Sequence, residues 1–295
     1  TFATGLVKNG AGTLVVNGIV STATGNLLTG STVITNLNSV TGLTVGMQVQ
    51  QGNTYFPAST VITAIGATAP TATATQTVLG TDLPVSSTLG FVVGMPITGT
   101  NIPANTIIAA VNANSLTLNT ATTVLAVAGV TGTKSVTVSN AVTGTLAGSA
   151  LTFGNAYNGG TLINGGTLVI RDNFSLGNVG DAVTVASGAT LDFGGSLTAN
   201  ALNLGTRIVT IAGAGVGGNG AIVNSGGFGQ INAVQALVLS GDASIGGTQR
   251  WDFRGPASAT LALNEYTLTK TGSNYIALAN ADVSLGNLVV NGGTL

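Results

Sequence analysis

Short segments in which apolar and polar residues alternate recur along most of this chain. Turn clusters rich in Gly, Asn and Ser separate them at intervals of roughly 8–12 residues, a spacing typical of all-β folds. Segments with the 3.6-residue period and capping residues of helices are scarce. The pattern therefore predicts an all-β protein. The clearest predicted strands are Thr13–Asn17, Ser31–Thr35, Ser135–Ser139, Thr161–Asn164, Thr167–Ile170, Ala182–Ala186, Thr190–Phe193, Arg207–Ile211, Ala236–Leu239, Thr260–Leu263 and Leu288–Val290.

One motif of strands and glycine corners recurs within this pattern. It begins at Leu6–Gly18, resumes at Tyr157–Ile170, and its resumed half returns at Gly286–Leu295. The Asn-Gly and Gly-Gly pairs supply the positive φ angles that a chain needs at sharp corners. Repetition of such a unit predicts a β-solenoid, in which each coil stacks on its neighbour.

The segment 19–152 differs from this repeat because it is rich in Thr and Ala and nearly uncharged. It also contains an internal duplication. Thr41–Val49 matches Leu89–Ile97, and Pro57–Ile65 matches Pro103–Val111. We expect the two copies to share a core in a β-sandwich or barrel-like module. This module would be inserted between the first solenoid strands, residues 1–18, and the main shaft, residues 153–295.

Charge and composition exclude several classes of function. The 295 residues include 7 basic and 8 acidic side chains, with a net charge of −1 and neither His nor Cys. This balance lacks the basic surface of a nucleic-acid binder. No apolar run approaches the ~18 residues of a spanning helix, so we expect no membrane insertion. Triads that use His and thiol mechanisms are excluded, and we expect no cofactor and no metal.

The repeat resembles the autotransporter-associated β-strand repeat, also called the passenger-associated transport repeat. The matching residues are Leu6, Lys8, Gly10–Leu14, Tyr157, Gly159–Thr161, Gly165–Leu168, Gly188–Asp192, Tyr266–Gly272 and Asn291–Leu295, with Gly247–Gly255 preceding the later round. This resemblance implies a right-handed parallel β-helix in an extracellular, cell-surface protein of a bacterium. It covers about half of the chain, and the segment 19–152 interrupts it.

The two ends of the predicted solenoid are candidate assembly surfaces. Solenoids commonly carry polar caps over their terminal coils. Here the candidate residues are apolar or uncharged, namely Gly12, Thr13, Leu14, Val15, Val16, Leu288, Val289, Val290 and Leu295. We expect these strands to pair head-to-tail with other copies of the chain, forming a filament. Two alternatives stay open: a piece of a longer solenoid, or an adhesin whose inserted module binds a glycan or protein receptor.

A charged cluster, Arg250, Asp252 and Arg254, is the candidate ligand contact. Period-two alternation places these three side chains on one face and Trp251 and Phe253 on the other. We expect the aromatic pair to fill the core and the charged trio to form an exposed row of ion pairs. The alternative is a ligand-binding role, in which the two arginines capture a sugar carboxylate.

A carbohydrate-active enzyme is the remaining alternative, although we expect a protein that is not an enzyme. A glycosidase needs two carboxyl groups some 5–10 Å apart. Four acids could align on neighbouring coils to supply them, namely Asp172, Asp192, Asp242 and Asp252.

Overall fold

The computed structural model describes residues 5–50, 55–57, 60–75, 80–122, 129–154, 157, 159–177 and 180–295. In this part of the chain the only helices are two 3-10 helices, Phe193–Gly195 and Val216–Gly218, and no helix could span a bilayer. The strands are β1 (Leu6–Lys8), β2 (Thr13–Val16), β3 (Ile19–Leu27), β4 (Val33–Ile34), β5 (Gln48–Gln50), β6 (Ile62–Gly66), β7 (Thr71–Thr73), β8 (Gly80–Pro84), β9 (Ile108–Val111), β10 (Ser115–Thr122), β11 (Gly129–Thr131), β12 (Ser135–Val138), β13 (Leu146–Gly154), β14 (Thr161–Ile163), β15 (Gly166–Ile170), β16 (Val183–Val185), β17 (Ala189–Asp192), β18 (Ile208–Gly213), β19 (Ile222–Asn224), β20 (Gln230–Val234), β21 (Ala236–Gly247), β22 (Trp251–Ala262), β23 (Thr267–Lys270), β24 (Ile276–Val283) and β25 (Asn287–Val290).

The prediction of an all-β protein is confirmed. Each of the eleven strands predicted from alternation overlaps a strand of the structure. Ends differ by a few residues, and the two segments predicted at Ala236–Leu239 and Thr260–Leu263 belong to the longer strands β21 and β22.

The chain divides into two compact units. Unit 1 consists of Thr1–Val20 and Gly154–Leu295, and unit 2 consists of Ser21–Phe153. The predicted insertion had the bounds 19 and 152. Unit 2 thus interrupts unit 1 in sequence, and each unit has buried apolar clusters of its own.

Unit 1 is a single fourteen-stranded sheet in which every described pairing is parallel. Its strands align in three ladders. The first runs β1–β14–β16–β18–β21–β22–β24, and the second runs β2–β15–β17–β19–β21–β23–β25. The third runs β20–β22–β24. The long strands β21, β22 and β24 each contribute residues to two ladders.

In-register parallel pairing stacks the side chains of unit 1 in columns. Inward columns are apolar and almost fully buried, and the residues of two of them are Leu168, Leu191, Ile222 and Ile245, and Ile163, Val185, Ile211 and Leu239. Trp251 and Phe253 join this core, as alternation predicted. The rings of Trp251 and Phe193 meet edge to face, with 5.5 Å between their centroids. Burial of these columns is the main stabilising term of unit 1.

Unit 2 contains two copies of one substructure, and the second copy is nested within the first. Strands β4, β12 and β6 form one three-stranded sheet, and β8, β10 and β9 form its equivalent. Ile34 pairs with Val136 in the first sheet, just as Leu83 pairs with Leu116 in the second. Strand β12 completes the first copy but follows β7–β11 along the chain. The second copy therefore lies within a connection of the first.

Equivalent hydrogen bonds in the two copies support this assignment. The backbone N of Gly46 donates to the O of Ile62 at 2.8 Å, and Gly94 donates to Ile108 at 2.8 Å. Thr60 Oγ1 donates to the O of Pro57 at 2.6 Å, and Thr106 Oγ1 donates to the O of Pro103 at 2.7 Å. The duplication seen in the sequence is thus a duplication of local backbone structure.

The expectation that the two copies share one core is wrong. Met47 belongs to one buried cluster with Ile62 and Val136, whereas Met95 belongs to another with Ile108. The described strands of unit 2 form four small sheets, of three, two, three and three strands, and each sheet contains strands of one copy only. Because each set of strands is completed within its own copy, the inward side chains of each copy pack against one another.

Glycine is required where corners stack closely, and this requirement is testable. Gly166 has φ of +66°, and a Cβ there would lie 2.3 Å from the O of Gly12; Gly188 has φ of +82° but open space around it. We expect Gly188→Ala to cost about 1 kcal/mol from the left-handed backbone alone. Gly166→Ala should cost clearly more, about 2–4 kcal/mol, because strain and a backbone clash combine. Urea denaturation measures both, and equal losses would contradict the stacking argument.

Candidate functional site

Seven of the nine predicted assembly residues lie on two strand edges at opposite ends of the second ladder. Among the described strands, β2 pairs only with β15, and β25 pairs only with β23. Val15 is 50% exposed and Val290 is 52% exposed. Within the described residues each strand therefore has one edge without a partner strand and carries exposed apolar side chains, a condition that favours strand addition.

Two predicted residues lie beside these strands rather than in them. Gly12 is in the corner that precedes β2. Leu295 follows Thr294, which bridges in parallel to Tyr275 at the start of the third ladder. Leu295 therefore belongs to a different ladder from Leu288 and Val289.

The edges at the two ends have matching registers. Leu14 and Val290 occupy one column of the second ladder. Leu6 and Val283 likewise occupy one column of the first ladder. The chain separation between the two columns is nearly the same at both ends, eight residues from Leu6 and seven from Val283. Both ladders could continue across a junction between copies without a shift in strand register.

Buried lysines fasten the corners of unit 1. Lys270 is 1% exposed, and its Nζ donates to the O of Thr271 at 2.7 Å and of Gly272 at 3.2 Å, in its own corner. It also donates, at 3.1 Å, to the O of Gly292 in the corner that follows the paired strand β25. Burial lowers the pKa of Lys270. The ammonium group therefore satisfies carbonyl oxygens of two successive corners.

Lys8 makes the same arrangement at another corner. Its Nζ donates to the O of Asn9 at 3.0 Å and of Gly10 at 2.8 Å, and to the O of Gly165 in the next coil at 2.9 Å. This corner joins the first ladder to the second, whereas the corner at Lys270 joins the second to the third. One local motif thus forms two different corners.

A third buried cation, Arg207, binds a corner together with Tyr157. Arg207 Nη1 donates to the O of Leu176 at 3.0 Å, and Nη2 donates to the O of Gly177 at 2.9 Å. The hydroxyl of Tyr157 donates to the O of Ser175 at 2.5 Å. Burial raises the pKa of Tyr157 to about 12 and lowers the pKa of Arg207 to about 10.

The charged cluster departs from the predicted exposed row. Asp252 is fully buried, whereas the side chains of Arg250 and Arg254 are 40% and 38% exposed. Arg250 binds the carboxylate through Nε at 2.9 Å and Nη2 at 2.6 Å, and Arg254 Nη2 lies 3.4 Å away. The backbone N of Ala277 donates to Asp252 at 3.2 Å. The two arginines and the next coil cover the acid, so the expectation of a wholly exposed row is wrong.

The four acids considered for catalysis do not form one column. The residue in register with Asp192 is Val223, and the residue in register with Asp252 is Ala277. Asp192 accepts from the N of Gly194 at 2.7 Å and from Ser225 Oγ at 2.5 Å. Asp172 accepts from the N of Gly18, and Asp242 accepts from the N of Thr267. Each acid holds a turn or an arginine, and the alignment considered for the enzyme alternative is not found among them.

A groove on the outer side of the second ladder contains Asp192. Its lining includes Thr167, Thr190, Asp192, Ser225, Thr248 and Ser273. Thr190 Oγ1 is committed to the backbone, because it donates to the O of Gly220 and accepts from the N of Val216, both at 2.9 Å. In the described part of the chain no His, Cys, Asp or Glu residues form a group that could hold a metal ion.

Comparison of the chain with protein-family models, with curated proteins and with solved structures finds no match. The resemblance to the autotransporter-associated repeat therefore rests on the motif residues alone.

Sequence reasoning overlooked the buried cations. The signal was present, because Lys8-Asn9-Gly10 and Lys270-Thr271-Gly272 share a Lys-x-Gly pattern. In each case an Asn-Gly-Gly corner lies in the following coil, at 164–166 and at 291–293. Tyr275, whose ring lies 4.6 Å from the Arg250 guanidinium, was also missed.

The lysine contacts predict a stability effect. Lys270→Met keeps the apolar stem but leaves three carbonyl oxygens without this donor, so we expect a loss of about 2 kcal/mol in the free energy of unfolding. Lys134→Met, at an exposed lysine, is the matched control and should change stability little. Urea denaturation of both variants decides the point, and equal small effects would contradict a structural role for Lys270.

The raised pKa of Tyr157 predicts a pH dependence. The unfolded chain ionises this phenol near pH 10, whereas the folded chain holds it protonated to about 12. Its contribution to stability is therefore complete below about pH 10 and is lost as the pH rises through about 12. Wild-type stability should fall relative to Tyr157→Phe across this range. Parallel stability curves for the two proteins, measured by urea denaturation, would contradict the prediction.

Proposed function

We propose that the chain is a non-enzymatic structural subunit that stacks end-to-end into a filament at a bacterial cell surface. The observation that carries this proposal is the pair of matching edges: β1 and β2 at one end of the ladders, and β24 and β25 at the other. A contact between these different edges is heterologous and does not close, so it propagates as a fibre.

The finer fold belongs to the same proposal. Unit 1 is a right-handed parallel β-helix, into which the duplicated unit 2 is inserted. Coil lengths of roughly 20–30 residues support this, because they lie within the range of solenoid repeats. Right-handedness is supported by the general preference of crossovers between parallel strands.

Apolar exposure at the edges supports a second copy as the occupant. Leu14 is 37% exposed at one end, and Val283 and Val290 are 44% and 52% exposed at the other. Stacking Leu6 of one copy over Val283 of the next, and Leu14 over Val290, would bury these side chains and pair their backbone groups. Burial of this kind provides most of the driving force for association.

Low charge supports the packing between copies that we propose. With 15 charged side chains in 295 residues, electrostatic repulsion between copies is weak. The resemblance to the passenger repeat supports an extracellular location, and host or environmental glycans or proteins are the further partners that we propose.

Cysteine pairs test the register of the junction. Thr13 and Val289 share an outward column, and their strands stand at opposite ends of a ladder with five strands between them. The native chain has no Cys. In a Thr13→Cys, Val289→Cys variant, head-to-tail stacking brings the two Cα atoms to about 5 Å across copies, within the range for a disulfide. We expect oxidation to give a ladder of reducible multimers in denaturing gels.

The Val15→Cys, Val289→Cys variant is the matched control. It differs by two residues in register, which places the Cα atoms about 8 Å apart and beyond disulfide reach. Equal cross-linking of both variants would overturn the proposed register. Negative-stain electron microscopy and light scattering over a concentration series complete the test. Monomers at every concentration would overturn assembly itself.

A further inference from the structure

We propose that Arg250, Arg254 and Tyr275 form a binding site for the carboxylate group of acidic saccharides, on the outer side of the third ladder. Strands β22 and β24 position the three residues. Trp251 pairs in register with Ile276, which sets Arg250 beside Tyr275, and Arg254 pairs with Ala279. The site is on the side of unit 1, and its existence does not depend on assembly.

Buried Asp252 fixes the two guanidinium groups. One carboxylate oxygen accepts from Arg250 Nε and from the N of Ala277, and the other accepts from Arg250 Nη2 and Arg254 Nη2. The acid is fully buried, so no ligand reaches it. It therefore acts as an anchor, and the cluster keeps one net positive charge that faces outward.

Arg254 has an unused donor that calls for an acceptor. Its Nε is buried and has no hydrogen-bond partner within the described structure, so a ligand reaches this donor as the partly exposed side chain turns outward. Its only described bond to Asp252 is long, at 3.4 Å, although the side chain is 38% exposed. A buried N–H group without a partner is unfavourable, and structures usually complete it with water, an ion or a ligand. A planar carboxylate fits the fork of a guanidinium group in two-point contact.

The neighbouring coil provides space and an aromatic surface. The residues in register with Asp252 and Arg254 are Ala277 and Ala279, whose small side chains leave the area beside the arginines open. Tyr275 is 42% exposed, and its ring lies against the Arg250 guanidinium at 4.6 Å. A half-exposed aromatic ring beside a carboxylate-binding fork favours a ligand with an apolar face, such as a uronic acid ring, over a free anion.

The cluster also stands out within an almost uncharged surface. Of the seven basic residues, Lys8, Arg207 and Lys270 are buried and committed to backbone carbonyls. Arg250 and Arg254 thus place two of the four remaining cations at one point. Their field acts on a passing anion with few neighbouring charges to oppose it.

The test is calorimetric titration of the full chain with two forms of one sugar polymer. A short galacturonate oligomer carries free carboxylates, and its methyl-esterified form has the same rings without charge. We expect the acid form to bind and the esterified form to bind at least about tenfold more weakly. Salt at about 0.5 M should weaken the binding of the acid form. Equal binding of acid and ester, or binding of neither, would overturn the proposal. Equal binding of polyglutamate would overturn the assignment to a saccharide.

Variants locate the site. Arg254→Gln removes the fork but leaves Asp252 bound to Arg250, and we expect about tenfold weaker binding of the acid. Arg254→Lys keeps the charge without the fork and should not restore affinity fully. Arg171→Gln, at an exposed arginine elsewhere on unit 1, is the matched control and should bind like wild type. Thermal unfolding confirms that each variant is folded. Wild-type affinity in folded Arg254→Gln, or an equal loss in Arg171→Gln, would place any binding elsewhere.

Discussion

In-register parallel pairing is the constraint on which unit 1 depends. Each residue lies beside the residue of the same column on the neighbouring strand, so all residues of a column must suit one environment. Leu168, Leu191, Ile222 and Ile245 meet this demand with buried apolar side chains. Lys270 continues the same column as a buried side chain, and its ammonium group donates to backbone carbonyls because a buried charge needs hydrogen-bond partners.

The corners require polar donors instead of apolar side chains, because sharp turns leave carbonyl oxygens without strand partners. Lys8, Arg207 and Lys270 donate to these oxygens and join each corner to the neighbouring coil. A chain with few charges therefore uses almost half of its cations inside the fold. Few cations therefore remain at the surface, and two of them lie together in the Arg250–Arg254 cluster.

The same pairing rule connects the fold to the proposed assembly. The last described strand of a ladder, such as β2 or β25, has one edge without a described partner strand. Because Leu14 and Val290 share a column, and Leu6 and Val283 share another, a second copy can continue both ladders at once. In the proposed filament, strands of neighbouring copies would then pair in the same register as the strands within one chain.

The sequence alone determined the strands and their inward faces, because alternation is local and Trp251 and Phe253 must point the same way. It also located the candidate edges. Burial of Asp252 could not be read from it, since the N–H group of Ala277 that helps to cover the acid comes from the next coil. The nesting in unit 2 was equally hidden, because β12 is distant in sequence from the strands it completes. Only the tertiary structure decided that the corners at Lys8 and Lys270 join different pairs of ladders. The local sequence sets the conformation of a corner. The lengths of the preceding segments set which two ladders that corner connects.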